Sequence, residues 1–399
     1  MPFLPDSVES EAGKAVAHFA DPAGFEAVVG EHRLTFYPSG ADRREALLAL
    51  IRGARRSLAL VFYIFAEDAA GRAVRDALAE AAARGVRVTL IIDRFGSAAS
   101  AAFLAPLVQA GGRFLCFSPR WSQAYLIRNH QKMAIADDRQ AIFGGFNIAE
   151  DYFAPPGPEA WTDLAIGLEG PAVAGLTEWF GKLAAWSGDD GPNFGEIRRA
   201  VKRWDWSDGR LRWLVGGPTR GLSTWARCVR EDLTTGRRLD MIMAYFSPSR
   251  RALTRIGALA RRGEARLVLA AKSDNTATIG AARALYGYLL KRGARLFEFQ
   301  PAKLHTKLIV LDDTVYIGSA NFDVRSLYLN LEIMLRVEDA ALAERMRGFV
   351  AHHIAASEAI TPALHATRAT PLNRFRWWLG WVLVTVIDYT VTRRLNPVP

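Results

Sequence analysis

The sequence predicts an α/β protein of two similar lobes, each a mixed sheet flanked by helices, related by a pseudo-twofold axis with an active site at their interface. Three observations support this fold class. The chain has 399 residues, enough for two ordinary domains. Apolar runs of strand length alternate with helical stretches. The same order of segments occurs twice, and each copy ends on a polar motif with a histidine and a lysine two residues apart.

The internal repeat can be followed segment by segment. It begins at residues 33–40 and again at 210–217, and a helical stretch follows each. The later segments match in pairs: SLALVFYIF with LDMIMAYFS, VRVTLIID with ARLVLAAK, GGRFLCFSP with GARLFEFQP, and NHQKMAIADDRQAIFGGFN with LHTKLIVLDDTVYIGSAN. A duplication of this length predicts two lobes that face each other.

The repeat also predicts the domain boundaries. Residues 188–209 carry the Gly, Pro and Asp residues typical of a linker. We therefore divide the chain into an N-terminal extension, a first lobe, a linker, a second lobe and a C-terminal membrane-associating tail, at residues 1–32, 33–187, 188–209, 210–355 and 356–399.

Composition narrows the class of protein. Half of the residues are hydrophobic and 23% are charged, as in a globular protein, and the net charge is +10. That charge favours either nucleic acid or an anionic membrane surface as a partner, or else reflects only an arginine-rich surface. Cys116 and Cys228 form no CxxC pair, which argues against a disulfide framework or a thiolate metal site. The acidic N-terminus predicts neither a signal peptide nor an N-terminal membrane span, so the default location is cytoplasmic.

The two terminal stretches share one pattern of chemically active residues. The chain has seven histidines, and two of them occupy the same place in the repeat. A polar hairpin that arose by chance would rarely recur with every such residue retained, so each copy is predicted to be half of one site. The residues are His130, Lys132, Asp137, Gly144, Gly145 and Asn147 in the first copy, and His305, Lys307, Asp312, Gly318, Ser319 and Asn321 in the second.

This doubled HxK(x)4D motif with a trailing G-[GS]-x-N resembles that of the phospholipase D superfamily. The flanking YIFxxDxxG, RNH and FDVRSLYLNLE at 63–71, 128–130 and 322–332 resemble its bacterial cardiolipin synthase branch. The resemblance extends from about residue 33 over nearly the whole chain. The paired N-terminal membrane helices of some relatives are missing, which predicts a shorter subtype. In addition, the spacer from Asp312 to Gly318 is one residue shorter than its counterpart, which predicts a tighter second hairpin.

The resemblance implies both the activity and the residues responsible for it. The implied enzyme is a phosphatidyltransferase that moves a phosphatidyl group, through a phosphohistidine, to the hydroxyl of a second phospholipid. Phosphatidylglycerol is the implied lipid, with phosphatidylethanolamine as a second one. A phospholipase D-type hydrolase is the first alternative, and a nucleic-acid phosphodiesterase is a less favoured one. The implied catalytic residues are His130, Lys132, Asp137, His305, Lys307 and Asp312, with His130 as nucleophile and His305 as acid and then base.

The residues themselves refine these roles. Side chains two apart on a strand share a face, so each histidine points the same way as its lysine. Asp137 and Asp312 lie seven places from their histidines, so we infer that they are hairpin or supporting residues rather than phosphate ligands. Two lysines supply the positive charge that a phosphoryl transition state needs, and the motif contains no carboxylate cluster, so neither a metal nor another cofactor is expected.

Further residues are predicted to support the phosphate. Gly145 and Ser319 allow close backbone approach, and Asn147 and Asn321 provide amide donors. Two acidic residues, Asp163 and Glu332, follow the asparagines at similar distances and are predicted to orient the imidazoles. The alternative for these two acids is a charge at a strand edge.

Two segments bear on the substrate. Arg120 and Arg128 precede the first histidine and either hold a second phosphate or are solvated loop charges. The C-terminal apolar run 377–387 is about 16 Å long as a helix, too short to span a bilayer core of roughly 30 Å. Its tryptophans and flanking arginines predict a peripheral or re-entrant membrane contact, with the lobes facing the cytoplasm, or alternatively a helix docked on the protein's own core. We expect phospholipids and an anionic membrane as partners, and no nucleic acid.

Overall fold

The computed structural model describes residues 19–118, 127–188, 194–219 and 221–387. The strands of the first lobe are β1 Phe25–Val29, β2 His32–Tyr37, β3 Ser57–Phe62, β4 Arg87–Asp93, β5 Arg113–Phe117, β6 Met133–Ala136, β7 Gln140–Gly144, β8 Trp161–Thr162 and β9 Ala165–Glu169. Its helices are α1 Gly40–Gly53, α2 Ala69–Ala83, α3 Ala101–Gln109 and α4 Ala172–Trp186, with a 3-10 turn at Glu150–Tyr152. Helix α5, Phe194–Arg203, then leads to the second lobe.

The second lobe contains the remaining elements. Its strands are β10 Trp206–Ser207, β11 Leu211–Gly216, β12 Arg238–Met243, β13 Phe246–Ser247, β14 Glu264–Ala270, β15 Arg295–Phe299, β16 Lys303–Leu304, β17 Lys307–Leu311, β18 Thr314–Gly318, β19 Phe322–Asp323, β20 Glu332–Glu338 and β21 Ser357–Ile360. Its helices are α6 Thr224–Thr235, α7 Arg250–Arg262, α8 Thr276–Leu290, α9 Val324–Tyr328, α10 Ala340–Ala355, α11 Pro362–Arg368 and α12 Pro371–Trp381, which continues as a π-helical turn at Val382–Ile387.

The two main sheets have the same strand order. The first sheet runs β1-β2-β9-β7-β6-β3-β4-β5, and the second runs β10-β11-β20-β18-β17-β12-β14-β15, followed by β21 at its edge. In the first sheet, β3, β4 and β5 are parallel to one another, and in the second sheet β12, β14 and β15 are. The other neighbouring strands of these two sheets are antiparallel. The mixed sheet and the duplication predicted from the sequence are therefore confirmed.

Three edge elements extend the lobes beyond the boundaries that the repeat predicts. Strand β1 pairs with β2 and so places residues 25–29 in the first sheet rather than in an extension. Strands β10 and β21 join the second sheet from what were predicted to be the linker and the tail. Short edge strands carry too few apolar residues to give a sequence signal. The predicted linker also contains α5, whose Ile197 and Val201 are fully buried.

A continuous hydrophobic core joins the lobes. One cluster of buried side chains takes residues from β6, β7 and α4 of the first lobe and from β11, β17 and β18 of the second. Across it, the Phe143 and Trp213 rings meet at 5.0 Å between centroids, and the Trp213 indole donates to the Ala172 carbonyl at 2.8 Å. Because this interface is as apolar as a domain interior, we infer that the lobes form one rigid unit.

The hairpins that follow the two HxK motifs differ as the spacer predicts. Three residues connect β6 to β7, whereas only Asp312 and Asp313 connect β17 to β18. Asp137, Asp138 and Asp312 have positive φ angles of 55°, 59° and 48°. Aspartate tolerates this left-handed conformation better than most residues with a side chain, which accounts for the acidic turns.

Candidate active site

The first histidine is held by the second lobe. The backbone N–H of His130 donates to the Leu331 carbonyl at 2.9 Å, beside a bridge that pairs Asn129 with Leu331. The Nδ1 atom of its ring lies 3.0 and 3.1 Å from the two carboxyl oxygens of Glu332, the next residue after Leu331. The sequence places an acid at this strand start but does not reveal that it serves the opposite lobe.

The second histidine is held by the first lobe in the same way. The backbone N–H of His305 donates to the Thr162 carbonyl at 2.8 Å, next to the parallel pairing of β16 with β8. Its Nδ1 lies 2.7 Å from Oδ2 of Asp163. The interaction is thus reciprocal, as expected for an interface around a twofold axis. Since Nδ1 is engaged in both rings, Nε2 is the atom left for a substrate.

Both lysines of the motif are buried next to the histidines. The ammonium groups of Lys132 and Lys307 donate to the carbonyl oxygens of His130 and His305, in the first case at 2.5 Å. Burial lowers the pKa of Lys132 to about 7 and that of Lys307 to about 8, although Asp163 and Glu332 oppose the change. The site is therefore prepared for an anion, whose charge would restore the ordinary lysine pKa values.

The surroundings of the two histidines favour neutral imidazoles. Burial and the two lysines lower the pKa of His305 to about 3 and that of His130 well below its usual value. The charge of each lysine lowers the pKa of the histidine in the other lobe as well as that of its own histidine, so the two halves of the motif act on one another across the interface. A neutral imidazole has the free lone pair that nucleophilic attack requires.

The two carboxyl groups differ in charge. Burial raises the pKa of Glu332 to about 8, although the nearby lysines oppose this. Burial acts in the same direction on Asp163, but His305 and Lys307 outweigh it, and the pKa of Asp163 is lowered. At neutral pH, Asp163 is therefore an ionised partner for its histidine, whereas Glu332 retains its proton for much of the time.

The glycine and serine of the two motifs contact these carboxyl groups. Ser319 donates its hydroxyl to Glu332 at 2.5 Å, and Ser326 donates to the other carboxyl oxygen at 2.9 Å. At the matching position, a side chain on Gly145 would place its Cβ 2.6 Å from an oxygen of Asp163. The serine therefore fixes its acid by hydrogen bonding, and the glycine leaves room for the other.

The two asparagines have different environments. Asn147 accepts from the Ile64 backbone at 3.1 Å and donates to the Tyr152 hydroxyl at 3.0 Å. Asn321 is also buried, and its carboxamide oxygen has no hydrogen-bond partner among the residues that the structure describes. Asn321 is thus the asparagine whose polar group is available to a ligand.

The two aspartates of the motif lie away from this site. Asp137 accepts from the backbone N–H groups of Arg55, Arg56 and Ser57 at the far end of the β6–β7 hairpin. Asp312 accepts from Arg237 and Arg238 in the same manner. The structure thus does not bring these two residues to the histidines, in agreement with the strand-parity argument and against their inclusion among catalytic groups. Their role is to close the hairpin onto the preceding strand.

Aromatic side chains line the site and were missed from the sequence. The Tyr63 ring meets His130 edge-on at 4.9 Å between centroids. His305 is enclosed by Tyr152 and Trp161 at 5.1 and 5.2 Å. The Tyr152 hydroxyl is also 3.5 Å from Nε2 of His305. Tyr63 directly follows β3, a position next to the site that could have identified it.

A buried acid was also missed. Asp93 ends β4 and accepts from the backbone of Phe95 and Gly96 at 2.8 and 3.0 Å. It also accepts from the backbone of Asn129 at 2.7 Å, the residue before the first histidine. The signal in the sequence is an acidic residue directly after the apolar run Leu90–Ile92. Asp93 fixes the backbone that carries His130.

Comparison with known proteins identifies the family. Residues 47–183 and 232–353, more than half of the chain, match the family described as "Cardiolipin synthase, PLD-like domain". The chain belongs to this family. It is 31% identical over 331 residues to cardiolipin synthase B of Salmonella typhimurium, covering 78% of this chain and 76% of that protein. It is 29% identical over 351 residues to cardiolipin synthase A of Pseudomonas fluorescens, covering 85% and 72%.

Solved structures support the fold. The phosphatidylserine synthase of Haemophilus influenzae superposes with a TM-score of 0.70 at 14% identity, covering 96% of this chain and 99% of that one. The polyphosphate kinase of Porphyromonas gingivalis superposes with a TM-score of 0.52 at 16% identity, covering 80% and 50%. At these identities the likeness concerns the fold alone, and it confirms the duplicated architecture of the cardiolipin synthase family member described here.

Proposed function

We propose that this chain is a phosphatidyltransferase of the cardiolipin synthase type that works through a phosphohistidine. One observation carries the proposal: each imidazole is bound through Nδ1 to a buried carboxyl group of the opposite lobe, beside two buried lysines. The arrangement leaves two Nε2 atoms and two ammonium groups for one phosphodiester. Family membership supplies the phosphatidyl group as the transferred unit.

In the first step, Nε2 of His130 attacks phosphorus as the P–O bond to the leaving alcohol breaks. His305 gives its Nε2 proton to that oxygen, so the alcohol leaves neutral. In the second step, His305 takes the proton from the hydroxyl of a second lipid, whose oxygen displaces His130 from phosphorus. Lys132 and Lys307 stabilise the negative charge that develops on the phosphoryl oxygens in both steps.

The carboxyl groups support this assignment of roles. An ionised Asp163 stabilises the imidazolium form of His305, which is the form a general acid needs. The partly neutral Glu332 gives His130 less reason to take up a proton, and a nucleophile must be neutral. The anionic substrate raises the pKa of both imidazoles, so we expect His305 to become protonated when the phosphodiester binds.

The lipids proposed are phosphatidylglycerol as donor and acceptor, with phosphatidylethanolamine as a further donor. Purified protein in detergent with phosphatidylglycerol, with and without phosphatidylethanolamine, is expected to form cardiolipin on thin-layer chromatography. Phosphatidic acid as the sole product would instead identify a hydrolase, since water would then replace the second lipid. Absence of lipid turnover together with cleavage of DNA would reverse the proposal.

We also place the enzyme at an anionic membrane surface through α12, with the lobes on the cytoplasmic side. Gly380 of α12 packs against Ala277 of α8, so one side of the helix is docked on the second lobe. The opposite side exposes large apolar residues, with Phe375 and Trp378 more than half exposed. In the described part of the chain, no helix is long and apolar enough to cross a bilayer. These features fit a helix lying in the membrane interface.

Substitution of the exposed face tests this attachment without removing the docked helix. Phe375→Glu with Trp378→Glu is expected to release the protein from vesicles of phosphatidylglycerol in a flotation assay, because two apolar anchors are lost. The matched control is Val28→Glu, which alters an apolar residue that is 71% exposed on β1. Unchanged flotation of the double variant would refute the attachment through α12.

A further inference from the structure

The residues two places before the two histidines differ in how their charge is compensated. Lys303 precedes His305 and forms an ion pair with Glu159 at 2.6 Å, next to the Trp161 ring. Arg128 occupies the matching position before His130. Within the four described ranges no carboxylate lies within ion-pair distance of it, and its guanidinium lies 3.8 Å from the centroid of the Phe95 ring. In the second lobe an ion pair neutralises this position, whereas in the first lobe the charge of Arg128 forms no such pair and instead opposes the rise that burial causes in the pKa of Asp93.

Arg128 lies beside the reacting centre. Its carbonyl accepts from the Leu331 backbone at 2.9 Å, so it sits at the seam between the lobes, one residue from Asn129. The Tyr63 ring packs edge-on against His130. Burial raises the pKa of the Tyr63 hydroxyl, and the charge of Arg128 and a hydrogen bond from its side chain oppose that rise. Arg128 is therefore next to the tyrosine that packs against the first histidine.

The chemistry of this position suits a phosphate. The Nε–H of Arg128 is buried and has no hydrogen-bond partner in the described part of the chain. The ring that carries the guanidinium is half exposed, with Phe95 at 52%, so the position opens to the surface. A planar guanidinium held on an aromatic ring is preorganised for bidentate binding of a phosphate. Arg120, which the sequence paired with Arg128, lies outside the described residues.

We propose that Arg128 binds the phosphate of the second phospholipid, the one whose hydroxyl accepts the phosphatidyl group. This proposal rests on the function proposed above. A phosphatidylglycerol acceptor carries its own phosphodiester, separated from its attacking hydroxyl by a three-carbon glycerol bridge. Water and simple alcohols lack that phosphate. A cation just outside the reacting centre therefore selects a phospholipid acceptor over water.

The test compares acceptors with and without a phosphate. Wild type and Arg128→Gln are assayed in detergent with a fixed phosphatidylethanolamine donor, and with either phosphatidylglycerol or free glycerol as acceptor, so that the products are cardiolipin and phosphatidylglycerol respectively. We expect Arg128→Gln to raise the KM for acceptor phosphatidylglycerol roughly tenfold to hundredfold, the usual effect of losing a charge-assisted contact. Transfer to glycerol and cleavage of the donor are expected to stay within about twofold. The KM of Arg128→Lys for acceptor phosphatidylglycerol should lie between those of wild type and Arg128→Gln, because lysine keeps the positive charge but cannot form the bidentate contact of a guanidinium.

The second lobe offers a matched control. Lys303→Gln removes a cation at the corresponding position, but one already neutralised by Glu159, and should change neither acceptor KM by more than about twofold. Equal loss of transfer to phosphatidylglycerol and to glycerol in Arg128→Gln would overturn the acceptor subsite while leaving the proposed function intact. Failure of the wild type to transfer to either acceptor would instead overturn the proposed function itself.

Discussion

The two halves of the site share one backbone frame and differ in its charges. In both, a histidine contacts an acid of the opposite lobe, Glu332 at the start of β20 or Asp163 between β8 and β9, and the same backbone bond fixes its position. Around His305 the acid is an ionised aspartate in a glycine-lined space enclosed by aromatic rings. Around His130 it is a glutamate near its pKa, held by two serine hydroxyls. The duplication kept the same backbone geometry in both halves, and we propose that the divergence of the charges separates nucleophile from acid.

The largest effect is expected when either of the two histidines is removed. His130→Ala and His305→Ala should each lower turnover by at least about 10³-fold, since each removes a covalent or proton-transfer group. The two variants differ in the half-reaction that they still perform. In His305→Ala, a donor whose leaving group needs no protonation should still transfer its phosphatidyl group to His130. Acid-labile labelling from a ³²P-phospholipid measures this. Labelling of His130→Ala instead would exchange the two roles.

The next prediction uses the difference between the carboxyl groups. Asp163→Asn should lower kcat by about 10² to 10⁴-fold at pH 7, because a neutral amide neither stabilises the His305 imidazolium nor fixes its tautomer. Glu332→Gln should cost only about tenfold, since that acid is already neutral for much of the time. Circular dichroism and Tm serve to exclude unfolding. Equal losses in the two variants would contradict the proposed division of roles.

A smaller effect is expected from the residues that contact these acids. Gly145→Ala places a Cβ against the Asp163 carboxylate and should lower kcat by roughly tenfold to hundredfold by displacing His305. Ser319→Ala removes one hydrogen bond to Glu332 and should cost about tenfold or less. Steady-state kinetics on both variants makes the comparison. A Gly145→Ala enzyme as active as wild type would show that Asp163 can move without loss.

The lysines predict how anion binding depends on pH. Their pKa values of about 7 and about 8 rise when an anion binds, so binding takes up protons as the pH increases through this range. The affinity for tungstate, an oxyanion that does not titrate near neutrality, should fall by up to about tenfold per pH unit between pH 7 and 8, where one lysine has lost its proton, and by up to about a hundredfold per unit above pH 8, where both have. Calorimetry in buffers of different ionisation enthalpy measures both quantities. Constant affinity without proton uptake would show that the lysines stay charged in the empty site.

The smallest effect on rate is expected at the hairpins. Asp137→Asn keeps a residue that tolerates positive φ but weakens three bonds to backbone N–H groups, so it should cost about 1–2 kcal/mol of unfolding free energy. Asp312→Asn, with two such groups, should cost less. Both should retain kcat within about twofold. Denaturant unfolding and kinetics on the same preparations test this, and a lower rate at unchanged stability would return Asp137 to the catalytic group.

The features that could be predicted from the sequence are those that occur in both copies of the repeat. Strand order, the two histidine–lysine pairs and the acids at the starts of the later strands all appear as matched segments. The pairing of His130 with Glu332, and of His305 with Asp163, could not be read in this way, since a repeat shows which residues correspond but not which lobe they face. Asp93 has no matching acid in the second copy, where Lys272 takes its place, so no repetition drew attention to it. Edge strands β1, β10 and β21 were too short to register as periodic patterns.

The reciprocal exchange of carboxyl groups means that neither half holds a complete set of parts. A fragment ending before α5 would keep His130 but lack Glu332, and its partner fragment would keep His305 but lack Asp163. Each would also uncover its share of the common apolar core. Each fragment alone would therefore be inactive, and activity would return only when the two fragments associate. If the fragments were fused to two other proteins, phosphatidyl transfer would report that those proteins are close together.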